Sequence, residues 1–245
     1  MYKIIADLHT HTTASCHAYS TLGEMVNAAK EKGFGAIAIT DHTKLMPGAP
    51  VPSYFGGMVD LPKIYRGIRL ITGCELNIVD FEGNFDVDIT RGHYQNLEWY
   101  VASIHEIPGI ELDDPTVEKC TELWLKIANN PKINVIAHSG SPKFAYDYEK
   151  VIPEFGRNHK LVEINAHSFD CRQDNIPNCR IIAETCKKYG VPIIVSSDAH
   201  CDAHVGKHEL ALKMLEEIDF PEELIVNASM DRLNDYLEKY SGAKK

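Results

Sequence analysis

The chain has 245 residues and a mass of 27.5 kDa, with 44% hydrophobic and 24% charged residues. That is enough to bury a full core in one large domain and excludes a mini-protein or a disordered tail. Acidic residues outnumber basic ones 35 to 25, so the formal charge of -10 opposes non-specific attraction to nucleic acid or an anionic membrane, and no basic cluster counters it beyond Lys244 and Lys245. No stretch approaches the roughly 18–20 apolar residues of a membrane span, and residues 1–7 carry no apolar leader core. Seven cysteines without a CxxC pair point to reduced thiols, not to a disulfide framework or a thiolate zinc cage. The expectation is a cytoplasmic protein of one domain, 1–245, with a flexible tail at about 241–245.

A buried strand is predicted at 3–8, then a helix at 21–32, with Ser20 or Thr21 and Glu24 as a capping box and Gly33 as its stop. A strand at 36–40 leads into residues 43–63, whose four prolines and three glycines give loop composition and a candidate lid. Strands at 69–74 and 99–104 follow, then a helix at 116–129, a strand at 133–137 and a helix at 148–156. The last part reads as a strand at 161–164, a helix at 177–189 stopped by Gly190, a strand at 192–195 and helices at 207–217, 221–227 and 230–240. Each strand is short and rich in Val, Ile or Leu, as buried strands are. Alternating strands and helices make a parallel α/β sheet, and seven strands within one domain's length predict a closed or nearly closed barrel, with an open doubly wound sheet as the alternative.

Polar residues with metal-binding chemistry fall at the ends of these strands. The first ends in Asp7-Leu8-His9-Thr10-His11, the second in Asp41-His42, the third in Glu75 and the fourth in His105. The fifth ends in His138, the sixth in Asn165 and His167, and the seventh in Asp198-Ala199-His200. The C-terminal ends of barrel strands converge on one rim, so residues far apart in sequence would meet there. Residues i and i+2 of an extended strand face the same side, which lets His9 and His11, and Asp198 and His200, point inward as pairs. His-x-His or Asp-x-His alone is a weak signal; both together, on the first and last strands with single His or Glu between, form a strong one. His93, His159, His204 and His208 lie off the strand ends and read as surface or helix residues, while His167 reads equally as a substrate contact or a loop histidine. Cys16, Cys74 and Cys201 adjoin these positions but face the other way and read as packing residues. Asp7 and Asp41 read either as acceptors that fix a histidine tautomer or as ordinary strand-end hydrogen-bonding groups.

Nitrogen and carboxylate donors without sulfur suit zinc, manganese or iron better than calcium or magnesium. They are too many for one ion, so two or three are implied, with a carboxylate such as Glu75 able to bridge a pair. Two ions roughly 3.5–4 Å apart lower the pKa of a shared water and clamp the attacking and leaving oxygens of a displacement at phosphorus, which makes hydrolysis the expected chemistry.

Asp7-Leu8-His9-Thr10-His11, Thr40-Asp41-His42, Gly73-Cys74-Glu75, His105, His138 and Ser197-Asp198-Ala199-His200 resemble, in order and over nearly the whole chain, the motifs of the PHP (polymerase and histidinol phosphatase) superfamily. His17-Ala18-Tyr19-Ser20-Thr21, His138-Ser139-Gly140-Ser141-Pro142-Lys143 and Asp219-Phe220-Pro221 further resemble its small single-domain YcdX-like phosphatases. The resemblance implies a distorted (β/α)7 TIM-like barrel with three divalent metal ions at the C-terminal rim, zinc first, manganese or iron as alternatives. It implies that His9, His11, Glu75 and Asp198 hold the first ion, Glu75, His105 and His138 the second, and His17, His42 and His200 the third, with Glu75 as the bridge. His17 is nominated by the resemblance alone. One departure is visible: the family's His-Pro-Gly after the fifth strand reads His138-Ser139-Gly140, which keeps the ligand and alters loop stiffness.

The implied activity is hydrolysis of phosphomonoesters of small molecules by a metal-bridging hydroxide, with Glu75, His105, His138 and Asp198 as the catalytic set. Asn165, His167, Arg172 and Lys143 are candidate contacts to the phosphate or leaving group. Three dications would let a chain of charge -10 bind an anionic substrate. A phosphodiesterase or nuclease-like hydrolase is the runner-up; it calls for an extended basic groove, which the acidic composition disfavours. A metal-dependent amidohydrolase would want a bridging lysine carbamate where this chain offers Glu75. A metal-binding barrel without turnover has no support in the sequence, since every ligand position is filled.

Overall fold

Seven short runs of β-branched and aliphatic residues pair side by side into a parallel sheet. Their order is β1 (Ala6–Asp7), β2 (Ala36–Ile39), β4 (Ile68–Asn77), β5 (Trp99–Ser103), β6 (Val135–Ile136), β7 (Leu161–Asn165) and β8 (Ile193–Ser196). The structure is a computed structural model and describes residues 2–242; Met1 and residues 243–245, with Lys244 and Lys245, lie outside the described residues. β3 (Ile64–Tyr65) folds back on β4 as an antiparallel hairpin. The helices are α1 (Leu22–Glu31), α2 (Pro52–Gly57), α3 (Val117–Ala128), α4 (Tyr148–Arg157), α5 (His167–Cys171), α6 (Ile176–Tyr189), α7 (Glu209–Glu217) and α8 (Met230–Tyr240).

Alternation along the strands separates two apolar layers. Trp99 and Val101 of β5 join Ala6, Ala36, Ile71, Val135, Leu161 and Ile194 inside the barrel, whereas Tyr100, Ala102, Ile136, Val162 and Ile193 face the helices. Trp99 fits because Gly73 stands against it: a Cβ there would lie 2.4 Å from the Trp99 carbonyl oxygen. α8 stops the N-terminal end of the barrel with Leu233, Tyr236 and Leu237, which join the inner layer. Apolar contents therefore fill one end, and the polar residues collect at the other.

The barrel closes largely through side chains. Among the described residues β8 and β1 share no strand ladder, and the fully buried Asn227 stands in the seam. Its Nδ2 donates to the carbonyls of Ala6 (2.8 Å) and Val195 (2.6 Å), its Oδ1 accepts from the Val195 N–H (3.1 Å), and its own carbonyl accepts from Ile5 N–H (2.9 Å). Asp7 adds the Ser197 N–H and hydroxyl at 3.0 and 2.5 Å, and Thr10 bridges Ala199 farther along.

All seven expected strands are present, and the fold is the nearly closed parallel barrel. The helix expected at 221–227 is instead two 3-10 turns, Glu222–Leu224 and Val226–Ala228, because Ile225 pairs with Ile193 and Asn227 is spent on the seam. Only a 3-10 turn, Gly92–Tyr94, stands between β4 and β5, and two helices follow β7, so the repeat is irregular. The expected α1 cap is present: Thr21 accepts from Glu24 N–H while the Glu24 side chain accepts from Thr21 N–H. Gly190 ends α6 at φ 65°, the left-handed conformation glycine adopts freely. Within 43–63, Pro52 starts α2, and Phe55 and Met58 are buried against the barrel; proline at the first position of a helix begins it and does not break it. Ser241 and Gly242, expected in a flexible tail, are packed: Ser241 is buried and Gly242 N–H donates to the Glu98 carbonyl at 2.8 Å.

Candidate metal centre

Glu75 lies near the C-terminal end of β4, at the middle of a cluster of imidazoles. Its Oε1 is 2.9 Å from His138 Nε2 and 3.3 Å from His105 Nε2. Its Oε2 is 2.8 Å from His42 Nδ1, 3.3 Å from His9 Nε2 and 3.5 Å from His11 Nε2. Asp198 Oδ1 is 3.2 Å from His11 Nε2 and 3.7 Å from His9 Nε2. The His200 ring stacks on His11 at 4.3 Å, and His17 stacks on His200 at 4.7 Å and on His42 at 5.0 Å. All nine candidate ligands thus stand in one cluster, drawn from six strand ends and, for His17, from the loop after β1. Two of them hold backbone conformations L-residues rarely adopt, His138 at φ 29° and Asp198 at φ 53°, the kind of strain that persists where surrounding structure over-determines a site.

Three sets of three donors lie within 4.8 Å of one another: His9, His11 and Asp198; His42, Glu75 and His105; and His11, His42 and His200. His42 therefore belongs both to the set with Glu75 and His105 and to the set with His11 and His200, a sharing that strand order alone did not reveal.

The donors fit divalent cations. His9 Nε2, both ring nitrogens of His11 and of His42, and Glu75 Oε2 are buried without a hydrogen-bond partner. Orphaned buried polar atoms cost free energy, and those on four converging side chains, one ring nitrogen of each histidine and the Glu75 oxygen, find a common explanation in bound cations. Nitrogen and carboxylate donors without thiolate are also the set that zinc, manganese and iron accept. Burial alone would raise the Glu75 carboxyl, but His105, His9 and His42 overcome it and hold Glu75 well below the usual carboxylate range. Burial opposes ionisation of Asp198 as well, and His9, the His11 ring 3.2 Å away and the Arg172 guanidinium hold it well below its ordinary value. Burial and the neighbouring His42 and His200 push His17 down to about 4. Ionised carboxylates and a neutral imidazole are the forms that bind metal.

Several histidines are oriented by partners behind them. Carboxylates and carbonyls only accept, so His105 Nδ1–H donates to Asn77 Oδ1 (2.7 Å) and His200 Nδ1–H to the Asp198 carbonyl (2.8 Å). This turns Nε2 of His105 toward Glu75. Asn77 is itself held by Asp86, which accepts from its Nδ2 at 2.8 Å. The tautomer-fixing role considered for Asp7 and Asp41 belongs to other residues. Asp7 serves the seam, and Asp41 accepts from Thr12, Ser15 and Tyr54 at 2.6–2.8 Å, tying the His11 to His17 loop to β2. Sequence reasoning missed Asn77, and it missed Glu163, whose Oε1 accepts from His9 Nδ1–H at 2.8 Å; the available signal was a charge inside the apolar run Leu161-Val162-Glu163-Ile164. His208 is not a surface residue: it is buried at the start of α7, with Nε2 3.7 Å from Asp7 Oδ2.

The cluster opens into a cleft of about 390 Å³ walled by His17, His42, His105, His200, His167 and Arg172, with Met46, Cys171 and Asp198 completing it. Met46 is what residues 43–63 contribute to this wall. Arg172 Nη2 donates to Asp198 Oδ2 at 2.8 Å. Asn165 is buried behind the wall, where its Nδ2 donates to Glu163 and Asp198. Lys143 stands apart: it is half exposed, paired with Glu106, and lines a neighbouring cleft of about 210 Å³ that meets the first at His105. Exposed ion pairs contribute about 0–1 kcal/mol. Lys143→Ala is therefore expected to change kcat/KM for p-nitrophenyl phosphate by less than about twofold; a tenfold loss would put Lys143 at the substrate.

Histidines and carboxylates gathered on the C-terminal rim of a parallel α/β barrel stand where the barrel enzymes carry their active sites. The PHP domain model matches residues 7–167, and the chain belongs to the PHP domain family. It is 39% identical over 237 residues to a probable phosphatase of Acetivibrio thermocellus, covering 97% of this chain and 96% of the other. It is 40% identical over 234 residues to a probable phosphatase of Caldicellulosiruptor saccharolyticus, covering 94% and 95%. Among solved structures it is similar to histidinol phosphate phosphatase of Lactococcus lactis, complexed with zinc, L-histidinol and phosphate, at a TM-score of 0.61 and 19% identity over 91% of this chain and 93% of that one. A chain of archaeal ribonuclease P with mature tRNA gives a TM-score of 0.60 at 9% identity over 95% and 90%. These two likenesses concern the fold. The protein is an enzyme, a hydrolase of the phosphatase class, and no described helix is long and apolar enough to cross a membrane.

Proposed function

We propose that the chain hydrolyses phosphomonoesters of small molecules at a centre of three divalent cations, zinc first, with manganese or iron as alternatives. His9, His11, His17, His42, Glu75, His105, His138, Asp198 and His200 would hold them, with Glu75 offering one oxygen to each side. The observation that carries this reading is the set of orphaned buried donors on His9, His11, His42 and Glu75. Cations bound there supply Lewis acidity that activates water and neutralises phosphate oxygens. The chain's own part is to hold that array and to bind the ester. Arg172 and His167 stand in the cleft wall, where a guanidinium suits two phosphate oxygens at once, while Asn165 fixes Arg172 and Asp198 from behind. Electrostatic complementarity built in advance of reaction is the dominant source of such catalysis.

A small substrate is favoured by the cleft itself, whose roughly 390 Å³ falls at the low end of the ~300–1,000 Å³ of small-molecule sites. A diester or polynucleotide would want a basic groove, and Arg172 is the one cation among the residues that line this cleft. Metal analysis of protein purified without added metal, with hydrolysis of p-nitrophenyl phosphate and bis-p-nitrophenyl phosphate before and after chelation, tests the proposal. It is expected to give near three equivalents and a chelator-sensitive monoesterase at least about tenfold faster than the diesterase. Preference for the diester would transfer the reading to a phosphodiesterase. One equivalent or none, with neither ester cut after metal is restored, would end it.

A further inference from the structure

On β7, Leu161 belongs to the inner layer while Val162 and Ile164 face the helices, so the alternation turns Glu163 and Asn165 inward just below the centre. Glu163 is buried, and both oxygens are fully used. Oε1 accepts from His9 Nδ1–H at 2.8 Å and from the Ser196 hydroxyl at 2.5 Å. Oε2 accepts from the His138 backbone N–H at 2.8 Å and from Asn165 Nδ2 at 3.1 Å, and the same Asn165 nitrogen reaches Asp198 Oδ2 at 3.2 Å.

One carboxylate thus touches three strand ends that each deliver a candidate ligand. Because it accepts only, it requires the His9 proton on Nδ1 and leaves the Nε2 lone pair facing Glu75 and Asp198. The bond to His138 N–H holds a backbone at φ 29°, a conformation that needs support, and this aims the His138 ring at the other oxygen of Glu75. We propose that Glu163 is a positioning residue that sets the His9 tautomer and the His138 backbone together, so that the donors on both sides of Glu75 are prepared for cations by one group. This rests on the proposed metal centre. Carboxylates behind a ligating histidine are worth about 10–100-fold in metal affinity.

The experiment is a zinc titration of wild type and Glu163→Gln, stripped of metal, against a chromophoric chelator. It is accompanied by thermal unfolding of the stripped proteins and by nitrogen-15 spectra of the imidazoles, recorded at a pH high enough for the His9 ring to be neutral, because, against the effect of burial, Glu163, Glu75 and Asp198 hold its pKa well above the ordinary histidine value. Glutamine keeps the shape, loses the charge, and can offer His9 a donor where an acceptor stood. The expected result is about a 10–100-fold weaker zinc affinity in the folded variant, with His9 of stripped wild-type protein protonated on Nδ1 and this preference lost in the variant. Unchanged zinc affinity and stoichiometry in Glu163→Gln, including the case where only its melting temperature falls, would overturn the proposal and leave Glu163 a structural residue. Should the variant not fold, the wild-type spectrum decides: His9 protonated on Nδ1 supports the proposal, and protonated on Nε2 defeats it. Wild-type protein that takes up no zinc, manganese or iron would instead defeat the metal centre itself, an outcome distinct from the others.

Discussion

Glu75→Gln is expected to lower kcat/KM for p-nitrophenyl phosphate by about 10²–10³-fold, the cost typical of deleting one preorganised charged or dipolar group from a reaction site, and to lower the metal content of the purified protein. The reason lies in how the two oxygens are shared. Oε1 faces His138 and His105, and Oε2 faces His42, His9 and His11. Glutamine can present an oxygen to one side only, and its NH2 would then face imidazole nitrogens on the other. The loss of charge matters as much, since the carboxylate is buried and held ionised by its neighbours against the cost of burial. Metal analysis, steady-state rates and circular dichroism on the same preparation check this. A folded variant that keeps its cations and a rate within tenfold of wild type would remove Glu75 from the bridging position.

Asn227→Ala is expected to cost stability heavily although it lies away from the centre and removes little apolar packing. It strips the seam of the donor to Ala6 O and Val195 O and of the acceptor for Val195 N–H, in a place with no access to water. Each backbone group orphaned in this way costs about 1–3 kcal/mol, so three of them sum to roughly 3 kcal/mol or more. For a chain of this size that corresponds to a fall in melting temperature of about 6–12 °C, at roughly 2–4 °C per kcal/mol. Scanning calorimetry of the metal-free protein measures it without the stabilisation that bound cations would add. A fall below about 2 °C would mean that the Thr10–Ala199 and Ile193–Ile225 bridges hold the seam by themselves.

The residues that were legible and those that were not differ in a physical way. His9, His11, His42, Glu75, His105, His138, Asp198 and His200 could be found because each follows, or closes, a run of apolar residues whose strand character is local, and parallel strands must bring their C-terminal ends to one rim. His17 sits in a loop that no periodicity locates, and a family motif alone nominated it; the Asp41 carboxylate, through Ser15 and Thr12, holds that loop in position. Lys143 follows His138 closely in sequence, yet the 3-10 turn Pro142–Phe144 carries it outward to Glu106, because loop direction is set by packing and not by spacing. Glu163 was concealed by its surroundings: one charge in an apolar strand reads as a blemish until the barrel interior shows three strand ends asking for an acceptor.

The sequence by itself determined the alternation of strand and helix, the inward and outward faces of the strands, the α1 capping box and the chemistry of the rim, since these depend on neighbours within a few positions. Tertiary structure alone decided how the donors are shared between the two oxygens of Glu75, which carboxylate orients His9, that His208 is buried against Asp7, and that Asn227, with Asp7 and the Thr10–Ala199 bridge, closes the barrel. Those outcomes depend on contacts between residues as many as 221 positions apart, as for Asn227 and Ala6. Hydrogen bonds of that kind leave no periodic trace in the chain, because their geometry is fixed only when separate strands are brought to within 3 Å or so of one another.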